Sequence, residues 1–484
     1  MSDHQLRRRV LHGLAWTSLQ SWGGRLLTVA IFMVMARVLG PQQFGLATAV
    51  VALLGLIQIL CASGFVEAII QRPALEDADA NLPFWVSMAL AVLLGVALVP
   101  AAPWLARWIG TPGIEPLLLL AAPVPALGIA AGFQSAFWRR KLDYKTLALR
   151  FFVSAAIGGA AGIAAALAGW GASALVIQLL VSSVAGAIWL WWRPLWRPGL
   201  SVRPQSFGPL LRFGSNVAAI RLVDFVSTRS IEFLIIGAHG VAALGLYAVG
   251  AKVYQVALQS ISTSVLDVAM SAMSRLAGDV GRVRNAYLAA VQISAYVALP
   301  AFVAGAALTP ELVQVLFGAK WVEAVPIMRL LMLLGGLQCL QFFNGTCLNA
   351  LGHPRLTLMV NLIRMVFMLV ALTLFPGSNA YGMTIAFVAA QLLIGPLSHA
   401  VTWHTLGLDR LELARRVWPP LLCSALAYAA VAFGREPLAG VVSGALPRLA
   451  LLGLLFVACV ALLMGLFLRP QLRTVWSLFR GRRG

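Results

Sequence analysis

The stretch LLRFGSNVAAIRLVDFVSTRSIEFLIIGA, residues 210–238, is long and apolar enough to cross a membrane, yet it contains Arg221, Asp224, Arg229 and Glu232. A charge at the bilayer centre costs about 2.5–3.5 kcal/mol on insertion scales, so such residues usually face a bundle interior or a water-filled path. At ~100° per residue the four positions fall within an arc of about 140°, and each acid follows an arginine by three residues. The stretch predicts a membrane helix with a nearly self-neutralised functional face.

The composition of the whole chain is that of a polytopic membrane protein. Of its 484 residues, 61% are hydrophobic and 11% are charged, and the mean hydropathy is +0.89; an average soluble domain has about 25% charged residues. The net charge of +20 would suggest nucleic acid in a soluble protein, but here the basic residues must first be located relative to the membrane. The five cysteines have no CxxC spacing, so we expect packing roles for them and no metal or cofactor.

Windows of ~20 apolar residues bounded by charge, proline or glycine predict fourteen membrane spans. They lie near residues 13–37, 44–68, 82–106, 115–138, 147–168, 171–192, 211–236, 243–267, 286–308, 325–349, 356–375, 380–402, 416–433 and 447–468. Both termini then lie on one side, whose connections and ends contain 25 Lys and Arg residues, against five on the other side. By the positive-inside rule, the more basic side, with both termini, is cytoplasmic. This distribution accounts for the excess charge without nucleic acid.

An internal repeat divides the spans into two sets. LGPQQFGL (39–46), between spans 1 and 2, has a counterpart in HGVAALGL (239–246), between spans 7 and 8, at an offset of 200 residues. Six spans separate the two motifs, so the halves have the same orientation, as in parallel transporter repeats. We therefore expect an N-lobe at 1–200, a C-lobe at 201–405, and a final helix pair with a basic cytoplasmic tail at 406–484. A site between two such lobes at mid-membrane is typical of alternating access.

Several of these segments resemble a known family. The segments GLAW (13–16) and ARVLGPQQFG (36–45) look like the opening of bacterial polysaccharide flippases of the multidrug/oligosaccharidyl-lipid/polysaccharide exporter superfamily. LGLYAVGAKV (244–253) and LGHPR (351–355) are similar to later motifs of the same family, in its colanic-acid-exporter-like branch. The resemblance covers essentially the whole chain.

The resemblance implies an all-α membrane protein with two pseudo-symmetric six-helix bundles around a central cavity, followed by two further helices. It also implies flipping of a polyprenyl-pyrophosphate-linked oligosaccharide across the bacterial inner membrane, for exopolysaccharide, capsule or lipopolysaccharide synthesis. The coupling ion would be H⁺ or Na⁺. Further partners would be membrane lipids and the polymerase and glycosyltransferases of the same pathway.

The charged residues inside the spans are the candidate site. Arginine offers bidentate, permanently charged donors to phosphate oxygens, so we expect a set of basic residues to attract the head group: Arg25, Arg221, Arg229, Lys252 and Arg364. Asp224 and Glu232 are the candidates for ion coupling, which is how intramembrane acids commonly serve transport. The alternative for the four charges of span 7 is a pair of structural intrahelical salt bridges. Lys252 and Arg364 could instead extend toward the interface.

Other functions fit the sequence less well. A membrane glycosyltransferase needs acids or metal ligands in an outer loop, and the short outer connections here have no paired carboxylates. A multidrug antiporter of the same superfamily should have acids in its cavity, whereas the mid-span charges of the first lobe are basic. A flippase for the peptidoglycan lipid precursor shares fourteen helices and a cationic cavity, so the sequence leaves it open. No nucleotide-binding P-loop is present, and we expect no enzymatic activity.

Overall fold

The computed structural model describes residues 3–62, 64–72, 76–201, 204–276 and 278–467, and within these ranges the regular structure is helical. The helices are α1 (Asp3–Val38), α2 (Pro41–Ala62), α3 (Phe65–Gln71), α4 (Asp77–Ile109), α5 (Glu115–Ala121), α6 (Val124–Arg140), α7 (Tyr144–Leu167), α8 (Ser173–Trp192), α9 (Pro204–Arg275), α10 (Val280–Ala307), α11 (Thr309–Leu316), α12 (Ala324–Ala350), α13 (Pro354–Leu374), α14 (Ala380–Leu406), α15 (Arg410–Val441) and α16 (Ala445–Phe467). Two short 3-10 helices, Pro112–Ile114 and Ala319–Trp321, precede α5 and α12. The predicted all-α class is confirmed.

Thirteen helical stretches in the described ranges are long and apolar enough to cross a membrane. One of them, Phe207–Ser260 in α9, has 54 residues, which at 1.5 Å per residue is about 80 Å, against a hydrocarbon core of about 30 Å. It is interrupted at Gly240, whose φ of 79° and ψ of −177° are not helical. Glycine tolerates this conformation because it has no Cβ. The break falls between predicted spans 7 and 8, so the thirteen helices agree with about fourteen crossings.

The chain divides into two compact units between Gly245 and Leu246. In the first unit, α7 packs against both α1 and α8. A Cβ added to Gly158 would lie 2.6 Å from the Ser182 Cβ, and one added to Gly162 would lie 2.6 Å from the Gln178 Cβ. Small residues at such positions let membrane helices approach closely and gain van der Waals contact. Glycines therefore set the spacing of α7 and α8.

The two motifs of the internal repeat contact each other within the first unit. A Cβ added to Gly45 would lie 1.7 Å from the Val241 carbonyl oxygen, and one added to Gly245 would lie 1.8 Å from the Pro41 carbonyl oxygen. These distances leave no room for any side chain. The glycines occupy equivalent positions in the repeat, so each motif provides the bare backbone against which the other packs.

The segment that follows α8 is fixed to the first unit. Trp196 is 2% exposed, stacks on Phe137 with an interplanar angle of 8°, and donates from Nε1 to the Asp77 carbonyl at 3.0 Å. Its own carbonyl accepts a 2.6 Å hydrogen bond from Gln134. The start of the predicted interlobe connection is therefore packed structure, since a buried tryptophan contributes both large apolar area and a hydrogen bond.

In the second unit, α10 contacts α12 and α15, and its core includes Tyr287, Phe343 and Cys347. α15 is fastened at its start by Glu412, which accepts hydrogen bonds from Arg284 at 2.7 Å and Arg416 at 2.9 Å. The C-terminal part of α15 is held by an ion pair between Arg435 and Glu311.

Near the end of α15, Arg435 forms an ion pair with Glu311 of α11 at 2.9 Å and also donates to the Ala307 carbonyl. α16 packs against α15 through a cluster that contains Ala427, Val431 and Phe456. The final helix pair therefore belongs to the second unit. The predicted basic tail after Phe467 lies outside the described residues.

Candidate functional site

A cavity of about 490 Å³ lies in the first unit and is lined by α2, α3, α6, α7, α8 and α9. Small residues create the space, because Gly128, Gly132 and Ser135 follow one face of α6 at helical spacing and lead to Arg139 in its last turn. On α7, Arg150 and Ser154 follow one face in the same way. The lining is rich in hydroxyl and amide groups and includes three arginines and one glutamate, so its formal net charge is +2.

Two of these arginines have no counter-ion within the described part of the chain. Among the described residues, Arg139 and Arg150 form no ion pair or side-chain hydrogen bond, and the Arg150 Nε is buried without a partner. Both arginines line the same cavity, so two like charges face one space. Arg139 is exposed, so the cost falls on Arg150, since an unsatisfied buried donor costs about 1–3 kcal/mol. An anion in this cavity would pair with both guanidinium groups.

Sequence reasoning missed Arg139 and Arg150 as site residues. Both are among the 25 basic residues that the sequence places on the cytoplasmic side, and they lie near the facing edges of predicted spans 4 (115–138) and 5 (147–168). In the structure, α6 continues to Arg140 and α7 begins at Tyr144, so Arg150 lies almost two turns into a helix. Its spacing of four residues from Ser154 was the available signal, since residues four apart share a helix face.

Arg221 lines this cavity, but its partner is not the one expected. Its guanidinium pairs with the Glu67 carboxylate of α3, 154 residues away in sequence. The Arg221–Asp224 salt bridge that the structural alternative required is therefore not formed among the described residues. Asp224 is exposed, and its carboxylate has no ion-pair or hydrogen-bond partner within the described chain. The i,i+3 spacing permitted the contact, but the approach of α3 placed another carboxylate at Arg221.

The second expected pair on this helix is confirmed. The Arg229 Nη1 donates to both Glu232 oxygens, at 2.6 and 2.8 Å. Glu232 is 4% exposed and lines an apolar cavity of about 250 Å³, whereas Arg229 is half-buried. The pair keeps a carboxylate at an apolar position that an isolated charge could occupy only at large cost.

The remaining predicted residues occupy different places. Arg25 is half-buried on α1, with its guanidinium carbon 5.4 Å from the Trp22 ring centroid, in the range of a cation–π contact. In the second unit, Lys252 is half-buried on α9. Arg364 on α13 donates from Nε to the Gln391 Oε1 at 2.9 Å and lines a separate cavity of about 240 Å³.

The first cavity has the chemistry of an anion site. Arginine guanidinium groups donate in a planar fork that matches phosphate oxygens. The Ser182 hydroxyl and the Gln58 amide add neutral donors, whereas the other three lining serines donate to carbonyls of their own helices. Of the predicted residues, the structure brings only Arg221 into this cavity, together with Arg139, Arg150 and Glu67. Arg229 and Glu232 lie further along the same helix.

Comparisons with known proteins place the chain in a family of polysaccharide biosynthesis proteins. A family model described as polysaccharide biosynthesis protein matches residues 34–326, which is more than half of the chain. The lipopolysaccharide biosynthesis protein WzxC of Escherichia coli K12 is 22% identical over 426 residues, covering 87% of this chain and 86% of WzxC. The succinoglycan biosynthesis transport protein ExoT of Rhizobium meliloti is 22% identical over 330 residues, covering 68% of this chain and 67% of ExoT.

Among solved structures, the lipid II flippase MurJ in an inward closed conformation is similar to this chain in fold. The TM-score is 0.75 at 13% identity, with 95% of this chain and 100% of that one covered. At this identity the similarity establishes the fold alone.

Proposed function

Since the chain belongs to the polysaccharide biosynthesis protein family, we propose that it flips a polyprenyl-pyrophosphate-linked oligosaccharide across the bacterial inner membrane. The resemblance inferred from the sequence motifs is confirmed by this membership. The protein is a multi-pass membrane transporter rather than an enzyme. Its relatives act in lipopolysaccharide and succinoglycan biosynthesis according to their names, so the product of this pathway is an extracellular or surface polysaccharide.

The observation that supports the proposal most strongly is the +2 cavity of the first unit. A lipid-linked pyrophosphate must pass its charged head through a medium of low dielectric constant, where an unpaired anion is very costly. Arg139 and Arg150 lack counter-ions among the described residues, so a pyrophosphate would satisfy donors that are otherwise unpaired. Arg221 adds a third cation. It is paired with Glu67, and a pyrophosphate can replace that carboxylate as its partner.

The same proposal assigns roles to the predicted residues. Arg25, Arg229, Lys252 and Arg364 contribute further positive charge along the path of the head group. Asp224 and Glu232 exchange H⁺ or Na⁺ during the cycle. Glu232 is the better candidate for coupling, because it is buried and its pair with Arg229 can be broken by protonation or by an anion near Arg229.

Orientation and cycle follow from the charge distribution and the repeat. With both termini cytoplasmic, the end of α6 and the start of α7 are at the cytoplasmic side, so Arg139 and Arg150 meet the head group on entry. Lobes 1–200 and 201–405 alternate access between the leaflets, and 406–484 forms the appended pair and tail. Glycosyltransferases that build the substrate and a polymerase that consumes it are the partners in the pathway.

Complementation of a strain that lacks its own copy of this transporter tests the proposal. Wild-type protein should restore surface polysaccharide and remove the accumulated lipid-linked intermediate. Arg150→Ala and Arg221→Ala should leave the intermediate accumulated, while both variants reach the membrane at normal levels on immunoblots. Arg355→Ala is the matched control, because Arg355 is exposed and has no ion pair in the described part of the chain.

Two outcomes would contradict the proposal. Full export by both Arg150→Ala and Arg221→Ala would show that the substrate does not use the cationic cavity. Failure of the wild-type chain to clear the lipid-linked intermediate, at normal expression, would reject the flippase function itself.

A further inference from the structure

The second unit contains a polar cavity whose chemistry differs from that of the +2 cavity. It has a volume of about 240 Å³ and lies among α12, α13 and α14. Its polar lining residues are Gln338, Gln341, Thr357, Asn361, Arg364 and Ser398. The lining contains one cation and no carboxylate, and most of its hydrogen-bonding capacity comes from neutral amides and hydroxyls.

Two of these amides have no partner side chain or backbone group within the part of the chain that the structure describes. Gln341 and Asn361 make no side-chain hydrogen bond to any other residue in the described ranges. The Gln341 amide lies over Gly395 of α14, where a Cβ would be 2.5 Å from its Nε2. Gln341 is half-buried and Asn361 is exposed, so both amides can be reached from the cavity. These amides are therefore available to a ligand that offers both donors and acceptors.

The other polar groups are held in fixed directions by buried neighbours. Tyr254 donates its hydroxyl to the Gln338 Oε1, which leaves the Gln338 amino group for the cavity. Asn344, which is fully buried, donates to the Ser398 Oγ at 2.9 Å and accepts from the Tyr287 hydroxyl at 2.7 Å. The Ser398 hydroxyl proton therefore remains free to donate into the cavity.

Arg364 and the apolar residues complete the arrangement. The Arg364 Nε is engaged by Gln391, which orients the guanidinium and leaves its two terminal amino groups without a partner in the described structure. Phe342 and Leu348 provide apolar surface in the same lining. The cavity is smaller than the ~300–1,000 Å³ of pockets for drug-sized ligands, so it suits a single compact group.

We propose that this cavity is a subsite for one sugar residue of the lipid-linked oligosaccharide, which its amides recognise through adjacent hydroxyl groups. The inference rests on the proposed flippase function and gives the second unit a different task from the first. A sugar hydroxyl both donates and accepts, which matches free amides, and its C–H face packs on an aromatic ring. A pyrophosphate is served better by the first cavity, because amide oxygens repel it and only one cation is present here. In this subsite Arg364 donates to sugar oxygens, in addition to the positive charge that it adds along the path of the head group.

Thermal unfolding of the purified full-length protein, with the two halves of the substrate added separately, tests the subsite. The sugar probe is the free repeat-unit oligosaccharide released from the producing bacterium's own polysaccharide, and the anion probe is inorganic pyrophosphate. The subsite variant is Gln341→Leu with Asn361→Leu, which removes the free amides at nearly constant volume. Arg150→Met in the first cavity is the reciprocal control. A ligand that binds only the folded protein raises its melting temperature.

We expect the oligosaccharide to stabilise wild type and Arg150→Met, and to bind the double variant about tenfold or more weakly. Pyrophosphate should stabilise wild type and the double variant but not Arg150→Met. An oligosaccharide effect that is absent in wild type, or unchanged in the double variant, overturns the subsite. Failure of the proposed function has a separate signature, since pyrophosphate would then not stabilise wild type and export would not be restored in cells.

Discussion

Replacement of Arg150 by methionine should make the protein more stable and less active at the same time. In the described structure the Arg150 Nε is buried without a partner, and the like charge of Arg139 lines the same cavity. Methionine keeps an unbranched apolar chain but removes the unsatisfied donor and the repulsion. Leaving a buried donor unpaired costs about 1–3 kcal/mol. Because Arg150 is only half-buried, we expect a gain near the lower end, about 1 kcal/mol in the free energy of unfolding.

Transport should fall in the same variant. A hydrogen bond to a charged group contributes about 1.5–3 kcal/mol, and about 1.4 kcal/mol corresponds to a factor of ten, so the initial rate should fall about 10- to 150-fold. Both quantities can be measured on one preparation, the melting temperature in detergent and the rate after reconstitution into liposomes.

Arg140 provides the matched control for this prediction. Its Nη1 donates to the Ile69 and Arg72 carbonyls at 2.7 and 2.6 Å, so it is a structural arginine next to the cavity. Arg140→Met should lower the melting temperature, since it leaves those carbonyls unpaired. An Arg150→Met variant that melts below wild type and transports at the wild-type rate would refute the reasoning.

Three further variants test neighbouring features. Glu67→Gln frees Arg221 from its ion pair and raises the cavity charge to +3. Pyrophosphate should therefore stabilise the purified variant at a lower concentration than wild type. An unchanged concentration dependence would contradict binding of pyrophosphate by Arg221 in this cavity. Gly45→Ala places a Cβ 1.7 Å from the Val241 oxygen and should cost about 1–3 kcal/mol or more, measured as a lower melting temperature, whereas Gly40→Ala meets nothing within 4 Å and should melt like wild type. Glu232→Gln leaves Arg229 without its carboxylate, so it should lower stability and make transport insensitive to a protonophore or to sodium removal. Adding Arg229→Met should recover part of the lost stability. A double variant that is no more stable than Glu232→Gln would contradict a stabilising Arg229–Glu232 pair.

The membrane architecture was predictable because the length of each apolar segment and the positions of the charged residues can be read from the sequence. The predicted spans agree with the observed helices within a few residues at most edges, as for 324–350 against 325–349. Spans 7 and 8 emerge as one helix broken at Gly240. The break lies at a glycine between the two predicted windows, and what the sequence did not show is that this glycine adopts a positive φ.

The site was only partly predictable, because side-chain partners depend on helix packing. The Arg229–Glu232 pair is local, and i,i+3 spacing was sufficient to find it. The Arg221–Glu67 pair joins α9 to α3, and nothing in the sequence fixes that approach. Arg139 and Arg150 were treated as loop charges because charge near a span edge usually anchors the interface. Their lack of counter-ions becomes visible only when α6 and α7 are in place.

The most direct test of the central claim is the rate at which the reconstituted protein moves a polyprenyl-pyrophosphate-linked oligosaccharide between the leaflets of a liposome. We predict a protein-dependent rate for wild type and for Arg355→Ala, and a rate near that of empty liposomes when Arg139, Arg150 and Arg221 are all replaced by methionine. Wild-type translocation by the folded triple variant would contradict the account.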